Sequence, residues 1–158
     1  MRFVVFADSG CNLPQRKLQE LGIEVVPFSY ELDGELIVCP KYPDGFDGQS
    51  YYNRLRQGAQ VKTSLINAEA FYQAFRPVVE AGKDVLYVGI SSGISGTVAA
   101  ANMAAQQLME EYPQRQVVVV DSMGAGLGTG ILTCKAADYS IADMDIRAAE
   151  EQLNIDRL

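Results

Sequence analysis

Four apolar runs punctuate the chain: RFVVFA (2–7), IEVVPFSYEL (23–32), DVLYVGI (84–90) and QVVVVDS (116–122). Each is short, rich in β-branched residues and free of strict polar alternation. Such runs read as strands buried on both faces of a parallel sheet. Between them lie stretches with helical spacing. Asn12 is placed to cap a helix over 14–21 with Pro14 in its first turn, and Gly22 stops it. Asn67 is placed to cap a helix whose Phe71, Phe75, Val78 and Val79 form one apolar stripe, with a kink expected at Pro77. An alanine-rich helix is expected over 97–112, and an amphipathic one over 145–154. The pattern predicts an α/β fold: a parallel sheet of about four strands with helices on both faces.

Residues 33–58 break this rhythm. Asp33-Gly34 between apolar runs predicts a hairpin turn. CPKYPDGFDGQ (39–49) reads as a surface loop, and SYYNRLRQ (50–57) as a short helix. The alternating glycines of GAGLGTG (124–130) permit either close approach of a ligand to the backbone or tight packing of a helix on the sheet.

Small polar residues recur where strands end: Asp8-Ser9-Gly10, Ser91 to Thr97, and Asp121-Ser122 onward. In an open parallel sheet these ends share one edge, and ligands bind there. The cluster densest in hydroxyls, GISSGISGTVAAAN (89–102), begins with the G-x-S-x-G pattern of a nucleophile elbow. A serine nucleophile needs an adjacent base, and the chain contains no histidine. Lys62 and Lys135 stand in no Ser-x-x-Lys motif. A cradle for an anion asks for less: the N–H groups and dipole of a helix start, with the hydroxyls of Ser92, Ser95 and Thr97. A carboxylate or phosphate suits it; pure helix capping is the alternative. Lys62-Thr63-Ser64, read as a loop, is a second hydroxyl cluster open to the same two readings. No G-K-[ST] follows the glycines, so there is no P-loop. Asp8 and Asp121 suit turns and caps better than a metal.

Composition narrows the classes. The 158 residues suggest one domain, and a net charge of −7 with no basic run argues against nucleic acid. Cys11, Cys39 and Cys134 fit no zinc or CxxC pattern, which suggests reduced thiols in a cytoplasmic protein. No apolar run reaches the about 20 residues of a membrane span. The opening MRFVVFADSG enters a strand at once, which predicts no leader.

Five segments in order resemble the DegV family: ADSGCNLP (7–14), GIEVVPFSYELDGE (22–35), KTSLINAEAF (62–71), ISSGISGTVAAA (90–101) and VVDSMGAGLGTG (119–130). The resemblance implies a Rossmann-like α/β domain, here 1–144. Residues 145–158 would begin the connection to a second, α+β domain that this chain is expected to lack. It also implies a bacterial protein that binds a long-chain fatty acid between its domains and serves in some cases as the acyl-carrying subunit of a fatty acid kinase. The carboxylate would be held by Thr63 or Ser64 and by Ser95, with Ser92, Gly96 and Thr97 nearby. Neither a cofactor nor a metal is implied. Leu65-Ile66-Asn67 departs from the family's x-P-S. An apolar face meant for the second domain would favour self-association. Two other readings stand beside this one: an α/β enzyme acting on a small anionic or phosphorylated substrate, and a ligand-free oligomeric fragment.

Overall fold

A computed structural model describes residues 1–157; Leu158, the last residue of the expected connection, lies outside them. The elements run β1 (Phe3–Asp8), α1 (Gln15–Glu20), β2 (Glu24–Val26), β3 (Ser29–Leu32), β4 (Glu35–Val38), α2 (Gly48–Arg56), β5 (Val61–Ser64), α3 (Ala68–Glu80), β6 (Asp84–Gly89), α4 (Thr97–Glu111), β7 (Val117–Asp121), α5 (Leu127–Ile141) and α6 (Ile146–Asp156). The Val-rich runs form a four-stranded sheet in the order β2-β1-β6-β7, parallel throughout. Alternate residues of β1 feed opposite faces. Phe3, Val5 and Ala7 join Leu18, Leu132, Ala136 and Leu153 from α1, α5 and α6. Phe6 joins Phe71, Phe75 and Leu108 from α3 and α4. The expected α/β class, with helices on both faces, is therefore what forms.

Small residues set how closely the helices lie. Ala100, Ala101, Ala104 and Ala105 put α4 against the sheet. A Cβ on Gly130 of α5 would sit 2.6 Å from the Cys11 carbonyl oxygen, so that helix can rest where it does only with glycine there.

The expected single strand over 23–32 is two. Pro27 has no N–H to give a ladder, and after it the chain leaves the parallel sheet. β3 instead pairs with β4 and β5 in a separate antiparallel sheet, order β4-β3-β5. The Asp33-Gly34 turn closes the β3–β4 hairpin as expected, both residues having positive φ. Lys62-Thr63-Ser64 belongs to strand β5 rather than to a loop. Asn12 does not cap α1: it adopts a left-handed conformation ending a 3₁₀ turn over Ser9–Cys11, and Pro14 precedes α1 without a side-chain cap. Asn67 does cap α3, accepting from Ala70 N–H at 2.9 Å, and α3 continues through Pro77 to Glu80.

Between Ser29 and Ser64, which face each other across the β3–β5 ladder, Leu32 is the one buried residue. Neither core cluster takes a buried residue from that stretch.

Candidate functional site

The carboxyl ends of β1, β6 and β7 carry three turns that are bonded to one another. Asp8 is fully buried. Its Oδ1 accepts from Gly10 N–H at 2.9 Å, and its Oδ2 accepts from the Tyr87 hydroxyl at 2.7 Å and from Ile90 N–H at 2.9 Å. Ser9 Oγ accepts from Phe28 N–H at 3.0 Å. The Asp8-Ser9 pair thus fixes both the start of the β6–α4 turn and the crossing from one sheet to the other. Asp121 ties the third turn in, accepting from Ser92 N–H at 3.2 Å and Met123 N–H at 2.9 Å. Burial pushes its carboxyl up, but hydrogen bonds from Ser92 and Met123 outweigh this and hold it below the usual range.

Between the β6–α4 turn and the small sheet there is a cavity of about 560 Å³, within the range of small-molecule sites. Phe28, Tyr30, Phe46 and Tyr51 give it an aromatic side. Ile90, Ile94 and Leu65 also line it, and Ser29, Thr63, Ser64 and Ser95 are among its polar residues. No Asp, Glu, Lys or Arg lines it among the described residues. Burial raises the Tyr30 hydroxyl and the Cys39 thiol above their ordinary values, so both stay neutral near pH 7. The site is therefore mostly apolar, uncharged and lined by hydroxyl-bearing residues from separate elements, among them β3, β5 and the β6–α4 turn.

The sequence-derived residues divide here. Thr63, Ser64, Ser95 and Gly96 line one cavity. Ser92 and Thr97 do not. Ser92 is exposed and is held toward Asp121. Thr97 is fully buried; its hydroxyl lies 2.7 Å from Ser95 Oγ, and its N–H donates to the same atom at 3.3 Å. Thr97 is therefore bonded to Ser95 and lies outside the cavity lining, whereas Ser95 belongs to that lining. Ser91, at the centre of the elbow pattern, accepts from Gly93 N–H at 3.1 Å within its own turn. The aromatic wall was not singled out in the sequence, since Phe46 and Tyr51 lie in and beside a stretch whose glycines and prolines signal only a loop.

Compared with known proteins, residues 2–155 match the family model described as "Uncharacterised protein, DegV family". A DegV domain-containing protein of Clostridium perfringens is 34% identical over 140 residues, covering 86% of this chain and 46% of that protein. Another, from Lactococcus lactis, is 32% identical over 139 residues, covering 84% and 45%. Among solved structures, a DegV family protein from Thermus thermophilus described for its fatty acid binding superposes with a TM-score of 0.86 at 30% identity, over 99% of this chain and 54% of that one. A stearic acid-binding protein from Eubacterium ventriosum gives 0.84 at 25% identity, over 96% and 52%. The chain spans about half the length of the relatives it matches.

Proposed function

The chain belongs to the DegV family, and from that premise we propose that it binds a long-chain fatty acid in the cavity at the seam of its two sheets. The observation that carries this reading is the cavity's division of labour. Thr63, Ser64 and Ser95 line the cavity together with aromatic and aliphatic residues, and no Asp, Glu, Lys or Arg is among the described lining residues. A carboxylate accepts hydrogen bonds from hydroxyls, and the start of α4 adds a favourable dipole behind Ser95. An alkyl chain gains about 0.8 kcal/mol for each methylene removed from water, so most of the affinity comes from the tail.

In this reading the protein binds and orients; the chemistry belongs to a partner. Neutral hydroxyl contacts leave the carboxylate without a competing countercharge, which suits presentation to a kinase that supplies the phosphoryl group. Ile94, Met123, Leu127 and Ile131 are exposed near the same edge and offer apolar surface for self-association.

The test is native mass spectrometry of the purified protein together with titration by oleate. A co-purified acid or saturable oleate binding is expected, and oleate should slow alkylation of Cys39. Ser95→Ala should lower oleate affinity by about 1.5–3 kcal/mol, the range for a hydrogen bond to a charged group. A Ser95→Ala protein of lower stability but unchanged affinity would reduce Ser95 to a helix cap and sink its assigned role. An empty protein that also ignores oleate would sink the function itself.

A further inference from the structure

A second cavity of about 390 Å³ adjoins the first. Tyr30, Phe46 and Tyr51 line both, so three rings form the partition between them. Tyr51 is its centre: its ring meets Tyr30 edge-on at 5.5 Å between centroids and Phe46 at 5.3 Å. Beyond the rings the walls are Leu32, Ile37, Val38 and Pro40. The charged groups on that side are already engaged. Asp47 accepts from Ser50 N–H at 3.0 Å as the cap of α2, and Arg54 donates to Asp33 at 3.1 Å. A second anionic head would find no uncommitted cation there, whereas a hydrocarbon end would meet apolar side chains.

The partition also rests on a light support. No residue of α2, which carries Tyr51, is buried, and Phe46 is 41% exposed. Rotating the Tyr51 ring therefore disturbs no core packing. Side chains with such freedom change rotamer readily on binding.

We propose that Tyr51 is the residue that sets acyl chain length. With its ring between Tyr30 and Phe46, the first cavity is closed behind the tail. With the ring turned aside, the two cavities join, and a longer chain extends beneath β3 and β4. The head of the ligand is chosen at Thr63 and Ser95, and its length at Tyr51. This inference rests on the acyl-binding reading above.

Competition of laurate, palmitate and arachidate against a fluorescent acyl probe tests it, using the purified protein and its Tyr51→Ala, Ile37→Trp and Asn53→Ala variants. Tyr51→Ala should raise preference for arachidate over laurate roughly tenfold, the effect of a few added buried methylenes. Ile37→Trp fills the second cavity and should lower that preference. Asn53→Ala, on the same helix but lining neither cavity, should keep the wild-type ratio. If Ile37→Trp does not fold, Tyr51→Ala against Asn53→Ala decides. An unchanged ratio in Tyr51→Ala, with binding intact, overturns the gate and leaves the acyl reading standing. Failure of the wild-type protein to bind any of the three acids overturns both.

Discussion

Burial raises the Asp8 carboxyl above its ordinary range, even though Ile90 N–H, the Tyr87 hydroxyl and Gly10 N–H all donate to it and pull the other way. An acid whose folded-state value lies above its unfolded value keeps its proton longer in the folded protein. The stability linked to that proton is present at low pH and declines as pH rises from the ordinary carboxylate value through the folded one. Asp8→Asn removes the titration while leaving one fewer acceptor for the three donors, a loss of about 1–3 kcal/mol. The stability margin of wild type over Asp8→Asn, from urea unfolding, is expected to narrow as pH rises above about 4, the ordinary carboxylate value. A margin that widens instead would mean that the donors outweigh burial. The Asp8 side chain was legible as a turn former because Asp-Ser-Gly at a strand end has few other uses. Its grip on Ile90 was not, since residues 82 positions apart meet only through the β1–β6 pairing.

At the scale of elements, α5 shows why local pattern failed. Gly124, Gly126, Gly128 and Gly130 interrupt the stretch where the helix begins, and glycine is a poor helix former. The glycine pattern allows either ligand approach or close packing of a helix on the sheet. The structure separates the glycines by role. Gly126 precedes the helix with φ +56, Gly128 has open space where a Cβ would go, and Gly130 abuts the Cys11 carbonyl and Leu13. Gly130→Ala is therefore expected to destabilise by about 1–3 kcal/mol, because backbone must move to admit the methyl group. Gly128→Ala is expected to stabilise by about 0.4–1 kcal/mol. Thermal unfolding of the two variants checks both signs, and equal shifts would contradict the packing role of Gly130. The strands of the parallel sheet were legible because burial on both faces leaves an unbroken apolar run. The small sheet was half hidden: β5 is exposed and polar over Lys62, Thr63 and Ser64, so its pairing with β3 leaves no apolar alternation to read.

For the whole molecule, the parallel sheet and its helices hold the core, while the stretch 28–51, which includes β3, β4 and the start of α2, supplies the pocket's aromatic residues. The domain boundaries expected at 144 and 145 fall beside α6, whose Ile146, Ala149 and Leu153 pack into the core of the same body as α5. The Tyr139 hydroxyl, donating to Asp156 at 2.5 Å and pushed up to about 12 by that carboxylate, fastens α6 to α5.

The facing of Ser29 and Ser64 has one more consequence. A strand of polypeptide that departs and returns at neighbouring points behaves as a cassette inserted into a host. Excising residues 30–63 and bridging the stumps with a short glycine-serine link should leave a host that still unfolds cooperatively, as judged by circular dichroism in urea, yet has lost its oleate binding. A host that collapses on excision would show instead that the cassette is a scaffold for its own chassis.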